Sequence, residues 1–290
     1  MIVDIHAHTF PPAIAAPTVD KLMHLSHTQA FTDGTVKQLR QSMARSGIDY
    51  ALVLPVATNI RQMTKINQVS AQLHSRWRET GILSFGCMHP DFPDWKAELA
   101  HIKELGMPGV KLHPVYQGVN FDDPRFLRIL DRAAELGLMV LCHGGGDVGF
   151  PDRSHCTPDM VLHAVKEVGD FPLIMAHMGG WHCWDQVEEL LTHTKVCIDT
   201  AYCLGQIHPL DDGFYRPEDL PMMSTEQFVR MVRGFGADRV FWGTDTPWRD
   251  QQESLDLLRA QPLTDGEKAA LLGGNAQKLL RLPERIPSTT

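Results

Sequence analysis

The chain has 290 residues, a net charge of −8 and a pI near 6.0, with 43% hydrophobic and 21% charged residues. This is the composition of a globular protein, and the acidic balance argues against nucleic acid or an anionic membrane surface as the partner. No apolar run reaches the roughly 18 residues that a transmembrane helix needs, and no signal-peptide pattern precedes the first strand. We therefore expect a cytoplasmic protein, whose six cysteines, with no CxxC pair among them, are reduced thiols.

The first predicted strand runs into the motif Asp4-Ile5-His6-Ala7-His8. Because side chains alternate along a strand, His6 and His8 point to the same side and can converge on one metal ion. The motif alone is only a hypothesis, since a pair of polar residues at a strand end is the ordinary alternative. Residues 9–33 are rich in proline and poor in pattern, which predicts a long irregular loop of a kind that often carries function.

Seven more units follow, each an apolar run and then a helical pattern, and most of the helical patterns end at glycine. Eight such units predict one domain over residues 1–290, a single (β/α)₈ TIM barrel. A doubly wound open sheet is the main alternative, but it usually has a Gly-rich turn after its first strand, where this chain has His-Ala-His-Thr-Phe-Pro-Pro. The predicted later strands cover residues 50–54, 83–88, 109–112, 138–142, 173–176, 196–199 and 240–242.

In a barrel of this type the C-terminal strand ends converge on one mouth, where catalysis takes place. Burying many ionisable groups together there costs several kcal/mol unless they are paired or ligate a metal. Three neutral imidazoles and a carboxylate suit Zn²⁺ with an open position for water, and they also suit Mn²⁺ or Fe²⁺. The residues at the predicted strand ends are His6, His8, His89, Lys111, His113, His143, His177, Asp199 and Asp245.

Taken together, the motifs at these strand ends resemble the amidohydrolase superfamily of metal-dependent (β/α)₈ barrels. The resemblance is to the branch that contains aminocarboxymuconate semialdehyde decarboxylase and related small amidohydrolases. It spans nearly the whole chain, in the expected order. The motifs that carry it are Asp4-Ile5-His6-Ala7-His8, Gly109-Val110-Lys111-Leu112-His113-Pro114, Cys142-His143-Gly144-Gly145, Ala176-His177-Met178-Gly179-Gly180, Gly243-Thr244-Asp245 and Gly274-Asn275-Ala276.

The resemblance implies a role for each residue of the site. His6, His8 and His143 are expected to be metal ligands. Asp245 is expected to be a further ligand that also hydrogen-bonds the metal-bound water. His177 is expected to be the catalytic histidine, which polarises the substrate or moves a proton.

Substrate binding is less constrained by the sequence. Lys111 is either carboxylated to bridge two metals, as in some family members, or a free ammonium that binds a substrate carboxylate or pairs with a neighbouring acid, which we favour. His113 should face the same way as Lys111 and line the mouth. Trp181 is a candidate wall for a flat substrate and Arg249 a candidate carboxylate clamp, with outer packing and solvation as the ordinary alternatives.

Metal-ion catalysis follows from these parts, because a metal lowers the pKa of bound water toward about 7 and polarises a carbonyl. We expect a hydrolase of a small-molecule amide, ester or lactone. The alternative is a non-oxidative decarboxylase of an aromatic or unsaturated acid, because the same ligands support both reactions. A non-enzymatic metal-binding module is disfavoured by the acid/base group His177. The partner is a small molecule, and a homo-oligomer is compatible with the sequence.

Overall fold

The computed structural model describes residues 1–284, so residues 285–290 lie outside the described part of the chain. Its strands are all parallel and pair in chain order, as two runs. They are β1 (Val3–Ala7), β2 (Tyr50–Val53), β3 (Ile82–Ser84), β4 (Gly86–Cys87), β5 (Gly109–Leu112), β6 (Met139–Cys142), β7 (Leu173–Met175), β8 (Cys197–Asp199) and β9 (Val240–Phe241).

Backbone hydrogen bonds join the two runs into a barrel. Only Phe85 separates β3 from β4, and its N–H donates to the carbonyl of Val53 at 3.0 Å, so these two strands act as one. On the other side, the Ile5 N–H donates to the Trp242 carbonyl at 3.1 Å, and the Asp245 N–H to the His6 carbonyl at 2.8 Å. The predicted eight-stranded (β/α)₈ architecture is confirmed, and the open doubly wound sheet is not formed.

The helices surround the strands at nearly all the predicted places. Thr35 caps the second of them, accepting a hydrogen bond from the Gln38 N–H at 3.2 Å. Within residues 1–284, no helix combines the length and apolar character needed to cross a bilayer. The helices are α1 (Pro12–Ser26), α2 (Val36–Ser46), α3 (Ile60–His74), α4 (Trp77–Thr80), α5 (Trp95–Glu104), α6 (Pro114–Gln117), α7 (Pro124–Glu135), α8 (Pro158–Val168), α9 (Trp184–Leu191), α10 (Thr225–Phe235), α11 (Gln251–Ala260), α12 (Asp265–Ala269) and α13 (Asn275–Leu280).

The prediction of an irregular loop over residues 9–33 is wrong, because α1 occupies more than half of that segment. Pro12 stands in its first turn, where a missing N–H is tolerated. Pro17 lies inside the helix, and only Ala15, Val19 and Ser26 are buried. Ile14 and Leu25 of this helix are exposed, so its apolar residues do not coincide with its buried side, which is why the sequence pattern did not indicate it.

Two apolar layers hold the barrel together: an interior cluster that includes Ile5, and an outer cluster between strands and helices that includes Ala7. Strict alternation would place Ile5 and Ala7 on the same face. The pairing of β1 with β2 shifts register between Asp4 and Ala7, so β1 contains a bulge. The bulge lets Ile5 pack inside the barrel while His6, one residue later, also reaches the interior at its mouth.

Candidate metal centre

His6 and His8, from the end of β1, meet Asp245, which follows β9, at the C-terminal end of the barrel. Asp245 Oδ1 lies 3.1 Å from His8 Nε2 and 3.4 Å from His6 Nε2. One ligand atom from each of the three residues lies within 4.8 Å of the other two. Gly243 lets the two strand ends approach, because a Cβ there would stand 2.7 Å from the His6 Cβ.

The hydrogen bonds on the far side of the His6 and His8 rings fix where their protons are. His6 Nδ1 lies 2.8 Å from Asp199 Oδ2, and His8 Nδ1 lies 2.7 Å from the Leu54 carbonyl oxygen. Both partners are acceptors, so both rings carry the proton on Nδ1. Each Nε2 therefore presents a lone pair toward Asp245.

The same argument applies to His143 and His177. His143 Nε2 donates to the Gly146 carbonyl at 2.8 Å, and His177 Nδ1 donates to the Ala201 carbonyl at 2.8 Å. The remaining nitrogens, His143 Nδ1 and His177 Nε2, are then unprotonated and face each other at 3.0 Å. Burial lowers the pKa of both imidazoles, which keeps the rings neutral.

The facing nitrogens of His143 and His177 are thus two acceptors with no proton between them, an arrangement that a cation stabilises. Burial opposes the ionisation of Asp245, whereas positive charge at the positions of His6 and His8 lowers the pKa of its carboxyl to about 2, so a cation held there keeps the acid ionised. Four imidazole lone pairs and this carboxylate are a donor set that suits a divalent metal. His6, His8 and Asp245 already converge as ligands. His143 lies beside His177 rather than in that group of three, so its role as the fourth ligand stays a prediction.

The backbone at His177 and Asp245 is strained. His177 has φ 60° and Asp245 φ 68°, both in the left-handed region that residues other than glycine rarely adopt. Such conformations cost about 1–3 kcal/mol each and persist where the surrounding structure imposes them, commonly at active sites. Both residues for which the sequence predicts catalytic roles are thus among the seven residues other than glycine with positive φ within residues 1–284.

Lys111 is 1% exposed, and its Nζ lies 3.3 Å from His6 Nε2. Burial lowers the pKa of its ammonium, against the opposing effect of the Asp199 and Asp245 carboxylates. Lys111, on β5, therefore stands next to the predicted metal ligands. The structure is compatible with either a free amine or a carboxylated one.

Asp199, at the end of β8, connects the two halves of the centre and was left without a role by the sequence analysis. Its Oδ2 accepts from His6 Nδ1, and its Oδ1 accepts from the His177 N–H at 2.9 Å and the Ala201 N–H at 3.0 Å. A carboxylate behind a ligating imidazole fixes its tautomer and orientation. The signal was present in the sequence, because Asp199 ends a predicted strand.

Of the other three predicted substrate-binding residues, one lies in the mouth, one lies in the loop beside it, and one is held by backbone carbonyls. His113 stacks on the His143 ring at 4.1 Å and lies in the mouth beside Lys111. The Trp181 backbone bonds to Gly144 and Gly146 at 2.9 Å, across the close approach that Gly145 allows. Arg249 is 2% exposed and bonds to the Leu204 and Gln206 carbonyls and to Glu253, so its described contacts stabilise the chain around residues 204–206.

A parallel (β/α)₈ barrel with imidazoles and carboxylates gathered at its C-terminal mouth is typical of a metal-dependent enzyme. A family model described as Amidohydrolase matches residues 3–282, and the chain belongs to this family. No curated protein sequence matches the chain significantly.

Solved structures share the fold at low sequence identity. 5-Carboxyvanillate decarboxylase LigW from Sphingomonas paucimobilis is 15% identical, with a TM-score of 0.68 over 97% of this chain and 99% of that one. An uncharacterized TIM-barrel protein, Bb4693 from Bordetella bronchiseptica, is 16% identical, with a TM-score of 0.74 over 97% and 98%. 2,6-Dihydroxybenzoate decarboxylase from Rhizobium is 16% identical, with a TM-score of 0.64 over 97% and 98%.

Proposed function

We propose that this protein is a metal-dependent carboxy-lyase that removes CO₂ from an aromatic or unsaturated carboxylic acid. The sequence analysis favoured a hydrolase and kept decarboxylation as the alternative. The similar solved structures favour that alternative, because most of those with a named activity are decarboxylases of hydroxylated benzoic acids. The observation that carries the proposal is the set of lone pairs that His6, His8 and His143 turn into the mouth, which suits a Lewis acid, with His177 beside them as the acid/base histidine.

The chain's own residues supply the proton chemistry. A divalent metal, when bound, would hold and polarise oxygen atoms of the substrate. His177 is held by the Ala201 carbonyl so that its unprotonated Nε2 faces the mouth, where it can take a proton from a substrate hydroxyl and pass it to the carbon that bears the carboxylate. The bond between this carbon and the carboxylate then breaks, and its electron pair stays on the substrate. CO₂ leaves, and the proton occupies its former position on the carbon.

Aromatic side chains near the centre support a flat substrate. Tyr116 contacts the edge of His113, with ring centroids 4.4 Å apart, and Phe150 contacts Tyr116 edge-on at 5.2 Å. Such rings offer large apolar surfaces with little conformational freedom to lose on binding. We propose that they form one wall of the substrate site.

Hydrolysis is the second candidate. One similar structure, from Pseudomonas putida, is named as a 2-pyrone-4,6-dicarboxylic acid hydrolase, at 16% identity and a TM-score of 0.65. In that reaction Asp245 would take a proton from the attacking water. Hydrolysis of a lactone and decarboxylation of an acid need the same donors, so the products distinguish them.

The metal is proposed to be divalent, and its identity follows from measurement. Zinc is the prediction from imidazole and carboxylate donors, whereas two similar decarboxylase structures are described with bound manganese. Elemental analysis of protein purified without chelators should show one of these ions in near-stoichiometric amount. Protein that cannot be loaded with any divalent metal would contradict the proposal.

The reaction is tested by measuring products with metal-loaded protein. CO₂ release should be detected from at least one member of a panel of hydroxylated benzoic acids, including 2,6-dihydroxybenzoate and 5-carboxyvanillate. Ring opening of 2-pyrone-4,6-dicarboxylate and hydrolysis of simple lactones and amides are measured beside it. Hydrolysis without CO₂ release would contradict the proposed carboxy-lyase and identify the protein as a hydrolase.

A further inference from the structure

Asp147, in the loop after β6, is a buried acid without an assigned role. It is 8% exposed, and its Oδ1 accepts a hydrogen bond from the Gly149 N–H at 2.8 Å. Its Oδ2 lies 3.8 Å from His113 Nε2 and 3.7 Å from His143 Nε2. The second oxygen therefore faces two rings of the mouth at distances too long for a hydrogen bond.

Asp147 adjoins the metal centre through the His143 ring. The His143 ring stands between it and His177, with one nitrogen toward each. The charge of Asp147 also acts on Asp245 and on the phenols of Tyr116 and Tyr215. A substrate that reaches His177 over the Tyr116 wall would extend into this corner.

The donors near Asp147 do not form a second metal site. His113, His143 and Asp147 have ligand atoms within 4.8 Å of one another. However, His143 Nε2 already holds the proton that it donates to the Gly146 carbonyl, so it has no lone pair to offer on that side. His113 Nδ1 is buried and has no hydrogen-bond partner within residues 1–284. The corner thus contains a carboxylate oxygen of Asp147 and a ring nitrogen of His113 that both lack a hydrogen-bond partner at normal distance within residues 1–284.

Cations near this corner are engaged elsewhere. Within residues 1–284, no lysine or arginine forms an ion pair with Asp147, whereas Lys111 is against His6. Arg249 is held by Glu253 and two backbone carbonyls. Arg153 is exposed at the rim, over the Phe150 ring. A second substrate carboxylate placed against Asp147 would meet a like charge without compensation.

We propose that Asp147, with His113, forms a specificity subsite that accepts a hydrogen bond from a substrate hydroxyl and rejects a second carboxylate. This inference rests on the proposed function and narrows its substrate class to hydroxylated monocarboxylic acids. It sets the protein apart from enzymes that act on dicarboxylic acids, such as carboxyvanillate.

The test measures binding of two unreactive analogues, so it does not depend on turnover. 2-Nitroresorcinol offers hydroxyls and no carboxylate, and 3-methoxy-4-hydroxy-5-nitrobenzoic acid carries a carboxylate across the ring from its hydroxyl; both are inhibitors or ligands of similar decarboxylases. Titration calorimetry is run on metal-loaded wild type, Asp147→Asn, and the control Asp152→Asn, which changes an exposed acid of the same loop.

We expect wild type and Asp152→Asn to bind 2-nitroresorcinol more tightly than the nitrobenzoic acid. Asp147→Asn should shrink that preference by about tenfold or more, because it removes the like charge while keeping the bond to Gly149. Three outcomes would overturn the subsite. They are an unchanged preference in Asp147→Asn, tighter binding of the nitrobenzoic acid than of 2-nitroresorcinol by wild type, and binding of neither analogue. Absence of CO₂ release alongside the expected binding pattern would refute only the lyase.

Discussion

The Nδ1 atom of His143 and the Nε2 atom of His177 lie 3.0 Å apart, and both carry lone pairs in the neutral rings. The other nitrogen of each ring lies against a backbone carbonyl oxygen. Because a carbonyl can only accept a hydrogen bond, the ring proton must be on that nitrogen. Two lone pairs at this distance repel unless a cation or a proton lies near them. The repulsion between these two nitrogens is therefore unfavourable in the metal-free protein, and a cation bound beside them would relieve it.

Metal removal should lower stability, because an ion that binds only the folded barrel contributes about 2.7 kcal/mol when its free concentration is 100 times Kd. Thermal unfolding with and without a chelator should show a fall in Tm that is reversed by adding the metal back. A His6→Ala variant serves as the control, since it should respond little to the chelator. Equal Tm values for loaded and verified metal-free wild type would contradict the metal centre.

Asp199→Asn should weaken metal binding while preserving the shape of the site. The amide would donate to His6 Nδ1, which moves the His6 proton to Nε2 and removes a lone pair from the mouth. We expect metal affinity to fall about 10–100-fold, measured by competition with a chromophoric chelator. Asp185→Asn, which changes an exposed acid on α9, should leave the affinity as in wild type. Retention of full affinity in Asp199→Asn would show that this carboxylate does not set the His6 tautomer.

His177→Asn should separate catalysis from metal binding. Losing a positioned acid/base group costs about 10²–10⁴-fold in rate, whereas His6, His8 and Asp245 still converge. We expect turnover to fall in that range with metal content unchanged. His182→Asn, at an exposed neighbouring histidine, is the matched control. If the metal is lost together with activity, His177 is a ligand rather than the proton carrier.

His74 offers a pH test that is separate from the metal centre. Burial lowers the pKa of this imidazole, whose Nδ1 accepts a hydrogen bond from the Ser84 N–H at 3.2 Å. Between the lowered folded pKa and the unfolded value near 6.5, the unfolded chain binds more protons, so stability falls as pH falls. His74 therefore contributes its full stabilisation above about pH 6.5 and loses it on acidification.

The measurement compares wild type with His74→Gln by urea unfolding, from about pH 7.5 to about pH 5.5. The advantage of wild type in free energy of unfolding should be larger at the upper pH and shrink at the lower one. Because the other histidines are common to both proteins, the difference isolates His74. An advantage that stays constant or grows on acidification would contradict the neutral buried state.

Much of the barrel followed from the sequence because its strands are short apolar runs, and chemistry-bearing residues stand at their ends. The placing of His6, His8 and Asp245 in one mouth required only the parallel topology. Helix α1 could not be predicted, because only three of its residues are buried and its apolar residues do not mark one side of the helix. The bulge in β1 was equally invisible, since it depends on pairing with β2 rather than on local preference.

The site's finer features depend on contacts that only the folded chain makes. Arg249 reads as a loop arginine in sequence, yet backbone carbonyls of residues 204 and 206 surround its guanidinium. Asp147 is one of many acids in sequence, and only burial beside His113 and His143 distinguishes it. The position of each imidazole proton likewise follows from its partner and not from residue type.

The hydrogen bonds that join β1 to the end of β9 have a consequence for how the centre comes into being during synthesis. His6 emerges from the ribosome early and Asp245 some 240 residues later. The group formed by His6, His8 and Asp245 therefore cannot assemble until the ring of strands has closed. Metal binding by these three residues would therefore follow closure of the barrel, and a growing chain should stay unloaded until its last strand has docked.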